Sequence, residues 1–96
     1  MQQTKLRLSA QRAFLGRIYP NMRLVKIRSY ETKIIVTVVL ETEPSPKILE
    51  EVSEACAEIV ADFSEADRIE ENISVSSSAL PPEDILEEGW IYQRAE

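Results

Sequence analysis

The strongest pattern in this 96-residue chain lies between residues 46 and 63, where apolar side chains recur at helical spacing. The apolar positions of the segment are Ile48, Leu49, Val52, Ala55, Cys56, Ile59, Val60 and Phe63. Ser45 is a residue type that caps helices, and Pro46 suits the first helical position. We therefore predict an amphipathic helix over 46–63, with acidic residues on the side away from the apolar stripe.

A second helical pattern opens the chain over residues 4–16. Its apolar stripe consists of Leu6, Ala10, Ala13 and Phe14. Gly16 is a plausible end for this helix, and Pro20 prevents its continuation. Leu8 and Leu15 lie outside the stripe and count against the assignment.

Between the two helices, apolar residues alternate at the period of a β-strand. The pattern predicts strands over 22–30 and 33–41, joined as a hairpin across Glu31 and Thr32. Both faces of the second strand are apolar and rich in β-branched residues, which is typical of an interior strand. Glu-Thr is a weak turn pair, which leaves a loop longer than two residues open.

The last third of the chain carries shorter signals. We predict a third strand over 69–79, a helical turn over 82–86 and a closing strand over 90–95. The element order is then α-β-β-α-β-β in a single domain spanning 1–96. A long helix between two hairpin-like strand pairs predicts an α+β fold, in which helices pack on one face of a mainly antiparallel sheet.

Composition excludes many kinds of active site. The chain has no histidine, one cysteine and two glycines, which leaves too few ligands for zinc and no base for a nucleophilic dyad. Cys56 lies on the apolar stripe, so we expect a buried, inert thiol. The acidic clusters lack the spacing of a calcium loop. We therefore expect no catalytic site, no metal site and no cofactor, although carboxylate catalysis remains formally open.

Charge divides the chain into two halves. Residues 1–40 hold eight basic residues against one acidic residue, a net charge of +7, and residues 41–96 hold three against sixteen, a net charge of −13. The halves can pair internally or present faces of opposite sign. On the second helix, Glu50, Glu54 and Glu58 stand four residues apart with no base between them. This row is either a solvated surface or a surface that recognises something basic.

The residues that we expect to contact a partner belong to the acidic half. They are Glu54, Glu58, Asp62, Glu65, Asp67, Glu70, Glu71, Asp84, Glu87, Glu88, Trp90 and Tyr92. Trp90 and Tyr92 are either core residues or aromatic anchors at an interface. Arg23, Lys26 and Arg28 could touch nucleic acid, but the acidic half would repel phosphate, so we expect no nucleic-acid partner. The longest apolar run is three residues, and we expect neither a membrane partner nor a secretory signal.

Four segments together resemble small bacterial immunity proteins of contact-dependent growth inhibition and related polymorphic-toxin systems. The segments are the apolar strand 33–40, Glu43-Pro44-Ser45, the helix end 59–63 and the stretch 88–92, which reads Glu-Gly-Trp-Ile-Tyr. The resemblance spans roughly residues 14–95. It implies a cytoplasmic protein that binds a cognate toxin domain and blocks its active site or substrate entry, with no catalytic residues of its own.

Three functional hypotheses follow from these observations. The first is an immunity protein, not an enzyme, that neutralises a basic, nuclease-type toxin domain by stoichiometric binding through its acidic half. The second is a structural or assembly subunit that forms a homo-oligomer through the edge strand containing Trp90 and Tyr92. The third is an enzyme that relies on carboxylates.

Overall fold

Two helices pack on one face of a four-stranded sheet in a computed structural model, which describes residues 2–78 and 90–94. The elements are α1 (Gln3–Ala13), β1 (Met22–Tyr30), β2 (Lys33–Leu40), α2 (Pro46–Ala61), β3 (Arg68–Val75) and β4 (Trp90–Gln93). The predicted α+β class, the element order and the position of the helices are confirmed. The predicted helical turn over 82–86 lies outside the described residues.

The sheet is mixed, with the strand order β3-β2-β1-β4. β1 pairs antiparallel with both β2 and β4, as expected, but β2 pairs parallel with β3. The prediction that the last two strands form a second hairpin-like pair is wrong, because β3 and β4 occupy opposite edges. A helix of this length extends about 24 Å, so α2 returns the chain to the starting end of β2. The next strand then runs parallel to β2.

The loop of the β1–β2 hairpin is as short as the hairpin prediction had it, two residues. Tyr30 pairs with Lys33, so Glu31 and Thr32 form a two-residue loop, and the alternative of a longer loop is wrong. Glu31 adopts a positive φ of 56°. This left-handed conformation is what short hairpin loops need, and here it is reached without glycine or asparagine.

The core lies between the helices and the sheet. Leu6 on α1, Ile59 on α2 and Val38 on β2 are fully buried there. Both predicted helical stripes face this core, although Leu49 on α2 lies at the margin of its stripe and is 41% exposed. The second face of β2 is also covered, because Val39 is buried. The prediction that β2 is an interior strand is confirmed.

The helix ends differ in how they are capped. The Ser45 hydroxyl accepts a hydrogen bond from the backbone N–H of Ile48 at 3.2 Å, which confirms the predicted cap of α2. Gln2 precedes α1 without making a side-chain cap. α1 ends at Ala13, three residues earlier than predicted, and the chain then turns through Gly16 at a φ of 80°. No helix among the described residues is apolar over a length that could cross a membrane.

Candidate functional site

The predicted contact residues fall on three parts of the described structure. Glu54, Glu58 and Asp62 lie on the outward side of α2 and at its end. Four more acidic residues follow the helix, in the loop and along β3: Glu65, Asp67, Glu70 and Glu71. Tyr92 lies on β4. The predicted residues Asp84, Glu87 and Glu88 lie outside the described part of the chain, as does the side chain of Trp90.

Arg17, in the loop after α1, reaches across to the carboxylates of α2. Its guanidinium lies 2.6 Å from Glu58, 3.2 Å from Glu51 and 3.5 Å from Glu54, and it donates a hydrogen bond to the carbonyl of Ala13 at 2.6 Å. Although desolvation opposes the change, the hydrogen bond that Arg17 donates to Glu58 and the three nearby negative charges raise the pKa of Arg17. The acidic row on α2 is therefore partly neutralised by a base that is remote in sequence.

Asp62 at the end of α2 joins the two helices. Its carboxylate accepts a hydrogen bond from the buried Ser9 hydroxyl at 2.6 Å, and the Arg12 guanidinium lies 3.4 Å away. Both Ser9 and Arg12 belong to α1. Asp62 is thus a half-exposed carboxylate with a fixed position beside α1.

The remaining acidic residues surround β3, an edge strand of the sheet. Thr32 donates a hydrogen bond to Asp67 at 2.9 Å, Lys33 lies 3.6 Å from Glu70, and Ser53 of α2 donates to Glu71 at 3.0 Å. Glu70 and Glu71 are consecutive in a strand, so their side chains point to opposite faces of the sheet. Glu65 is exposed in the loop before β3.

We treat these side chains as one candidate acidic surface, which runs from the outward side of α2 around the β3 edge to Glu70 on the other sheet face. We define this acidic surface as Glu54, Glu58, Asp62, Glu65, Asp67, Glu70 and Glu71. Residues 46–75, which contain it, hold nine acidic and two basic residues, a net charge of −7. The neighbouring bases Arg12, Arg17 and Lys33 reduce this excess without removing it. The acidic surface can attract a basic macromolecule.

Tyr92 does not join the acidic surface. It pairs with Val25 of β1 at the opposite edge of the sheet and is half-buried against the core. Three strand spacings separate the two edge strands, a distance of about 14 Å. The sequence grouped Tyr92 with the carboxylates because they share the C-terminal half of the chain, and the fold places them apart.

Two residues with reactive or charged side chains, Cys56 and Arg23, are buried in the structure. Cys56 is 1% exposed, and desolvation, with a smaller effect of the nearby Glu71 charge, raises the pKa of its thiol to about 12. The expected buried thiol is confirmed. Arg23 is also buried and donates hydrogen bonds to the carbonyls of Ser76 and Ser78. In residues 2–78 and 90–94, no cluster of three or more potential metal ligands forms.

A groove between the helices borders the acidic surface. It encloses about 390 Å³ and is lined by Ser9, Arg12, Ala13, Glu58, Ala61 and Asp62. A second depression, which shares Arg12 with this groove, is lined by Leu8, Gln11 and Leu15, and its two leucines are 55% and 82% exposed. In the sequence, these two leucines stood out only as departures from the buried stripe. In the helix predicted over 4–16, their separation by seven residues places them on one outward face, and this was the available signal.

The comparison with protein families gives a match over nearly the whole chain. The family described as MafI2 immunity protein matches residues 3–96. The chain belongs to this family. The resemblance to bacterial immunity proteins of polymorphic-toxin systems is thereby confirmed, and the role of the chain is immunity against a toxin. The matched range includes both helices, all four strands and the acidic surface.

The comparisons with curated proteins and with solved structures add no further family. No curated protein matches the chain. Among solved structures, the crystal structure of the cytosolic domain of a cation diffusion facilitator family protein is similar, at 20% sequence identity and a TM-score of 0.47. That alignment covers 81% of this chain and 100% of the other.

Proposed function

We propose that this MafI2-family protein neutralises its cognate toxin domain by binding it one to one, with the acidic surface against a basic region of the toxin. The observation that carries the proposal is the net charge of −7 over residues 46–75, in a chain that belongs to an immunity family. The toxin is of the nuclease type, and the encounter takes place in the cytoplasm.

The chemistry of a nuclease supports this choice of toxin. An enzyme that acts on nucleic acid presents basic side chains to the phosphates, and these make most of the non-specific contacts with its substrate. An acidic protein surface competes for the same side chains. Long-range attraction between the two surfaces also accelerates their encounter. An acidic immunity protein can therefore cover the substrate entrance of such a toxin and repel the substrate itself.

Contacts within the protein fix the positions of several carboxylates of the acidic surface before any partner binds. Glu58 is held by Arg17, Asp62 by Ser9, and Asp67 by Thr32. Side chains that are already ordered lose less conformational entropy when a partner binds. The same contacts leave carboxylates accessible, since the side chains of Glu58 and Asp62 remain 55% and 47% exposed.

The proposed inhibition needs no bond-making step by the protein. The sequence has no histidine, and its one thiol is buried with a pKa raised to about 12. Sequestration requires only complementary surfaces. We therefore propose that the protein is not an enzyme, and that it binds neither nucleic acid nor membranes.

The test begins in bacterial cells that produce the toxin domain encoded beside this gene. We expect co-production of the unsubstituted protein to restore growth, and the purified pair to form a one-to-one complex by light scattering. The double variant Glu58→Lys/Glu65→Lys is expected to lose about tenfold or more in affinity, because two attractive charges become repulsive. Calorimetric titration measures the loss.

A matched variant separates the acidic surface from total charge. Glu41→Lys/Glu43→Lys makes the same change in net charge in the β2–α2 connection, outside the acidic surface. It should retain affinity to within about threefold, after thermal unfolding confirms that both variants fold. Equal losses for the two variants would reject the acidic surface, and failure of the unsubstituted protein to bind or rescue would reject the proposal.

A homo-oligomeric structural subunit remains the second candidate, because β4 does lie at an edge of the sheet. Open strand edges can pair with another copy of the chain. Light scattering of the free protein distinguishes the two. A monomer at high concentration supports the immunity complex, and a stable oligomer without affinity for the toxin supports self-assembly.

A further inference from the structure

We propose that the outward face of α1 is the apolar anchor of the toxin interface, and that it holds the toxin after the acidic surface has attracted it. We call this surface the α1 face and define it as Leu8, Gln11 and Arg12 of α1 with Leu15 in the turn that follows, four residues that line one common depression. The inference rests on the proposed function and extends it, because it assigns part of the toxin contact to the basic half of the chain.

The α1 face exposes apolar area that the fold does not use. The buried side of α1 already contributes Leu6, Ala10 and Ala13 to the core. Leu8 on the other side of α1 and Leu15 in the turn after it are 55% and 82% exposed, the latter being the highest value among the large apolar side chains described. Single exposed leucines are ordinary, whereas two that line one common depression form a contiguous apolar patch of the kind that marks interaction surfaces.

The α1 face lies between two depressions. Towards the end of the helix, Leu15 borders a crevice of about 180 Å³ that is also lined by Phe14, Ile18, Ile91 and Tyr92. Towards α2, Arg12 borders the groove that contains Glu58 and Asp62 of the acidic surface. The apolar and acidic surfaces are therefore continuous across the helical layer. A partner can cover both, with an apolar centre and a charged margin, as protein interfaces commonly have.

Charge indicates which occupant fits the α1 face. Helix α1 carries Lys5, Arg7 and Arg12 and no acidic residue. The matching element of the toxin should therefore present an apolar side chain with acidic neighbours. A second copy fits poorly, because a two-fold contact between α1 faces would bring the basic residues of both helices together.

The two surfaces should control different rate constants. Long-range charge acts before contact and sets the association rate, whereas apolar anchors that fill a depression slow dissociation. Neutralising the acidic surface should therefore slow association. Truncating the α1 leucines should accelerate dissociation and leave association nearly unchanged.

The experiment measures both rate constants for the purified toxin domain by surface plasmon resonance. The double variant Leu8→Ala/Leu15→Ala shortens two exposed side chains, one on α1 and one in the turn after it, so the fold should be unaffected. We expect its dissociation rate to rise about tenfold or more, with the association rate within about twofold of the unsubstituted value. Leu49→Ala, an exposed leucine on α2, is the matched control and should change neither rate.

Each other outcome has a definite meaning. If the unsubstituted protein binds the toxin and the double variant dissociates at the same rate, the α1 face is rejected and the proposed function stands. If the unsubstituted protein does not bind, both proposals fail. If light scattering shows an oligomer of the free protein that the leucine variant abolishes, the α1 face is a contact between copies and the inference is overturned.

Discussion

The two helices bury their inner faces against the same side of the sheet, but their outward faces, which do not pack against the core, carry different side chains. α1 buries Leu6 and Ala10, and α2 buries Val52 and Ile59, all against one sheet face. On the outward side, α1 and the turn after it present two leucines and basic residues, whereas α2 presents carboxylates. The fold does not require this difference, and we propose that each surface contacts a different part of the toxin.

The largest expected effect tests whether the inner faces are equivalent. Leu6→Ala on α1 and Ile59→Ala on α2 should each lower the free energy of unfolding by about 3 kcal/mol, because each leaves a cavity at a fully buried position. Leu15→Ala, in the exposed turn after α1, should change it by less than about 0.5 kcal/mol. Urea denaturation measures all three, and a loss for Leu15→Ala as large as for Leu6→Ala would contradict the comparison.

The inner face of α2 also contains a titratable group, which the inner face of α1 lacks. Burial raises the pKa of Cys56 from its ordinary 9.0 to about 12. The folded state therefore keeps the thiol proton to higher pH than the unfolded state, so this contribution to stability is complete below pH 9.0 and is lost as pH rises towards 12.

Between about pH 9 and 10.5 the expected loss is about 2 kcal/mol, since each pKa unit corresponds to about 1.4 kcal/mol. Cys56→Ala should remove this part of the pH dependence, which urea denaturation at a series of pH values would show. Parallel stability curves for the two proteins over that range would count against a buried, protonated thiol.

Arg17 connects the loop after α1 to the carboxylates on the outward side of α2. Replacing it with methionine removes three ion pairs and the hydrogen bond to Ala13, for an expected loss of about 1.5 kcal/mol. The variant Lys5→Met makes the same charge change at an exposed position of α1 and should be nearly neutral. Thermal unfolding compares them, and equal stability of the two variants would show that Arg17 does not tie its loop to α2.

The smallest effect concerns the helix starts. Ser45→Ala should destabilise the protein by about 1 kcal/mol, because the N–H of Ile48 loses its acceptor. Gln2→Ser, at the start of α1 where no side chain makes a cap, should stabilise it by a few tenths of a kcal/mol. Chemical denaturation distinguishes the two signs, and a gain from Ser45→Ala would contradict the cap.

Local patterns predicted most of the fold, and long-range contacts account for the errors. The stripes of α1 and α2, the Ser45 cap and the interior strand β2 all follow from residues close in sequence. The parallel pairing of β2 with β3 depends on where α2 delivers the chain, and the tight hairpin depends on the backbone of Glu31. Neither the parallel pairing nor the tight hairpin is indicated by a strong pattern in the neighbouring residues.

The candidate site was predictable only in part, for the same reason. The acidic residues could be read from the sequence, but the position of Arg17 among three of them could not, since they are 34 to 41 positions further along the chain. Tyr92 was grouped with the carboxylates although the fold places it at the other sheet edge. The exposed leucines of the α1 face could be identified only from the structure, which shows which side of the helix is buried.

The most direct test of electrostatic capture is the association rate of the unsubstituted protein with its toxin domain, measured by stopped flow at two salt concentrations. Raising the salt from about 50 to about 300 mM shortens the screening length and should slow association by roughly tenfold or more. Dissociation should change much less. An association rate that does not depend on salt would contradict the account.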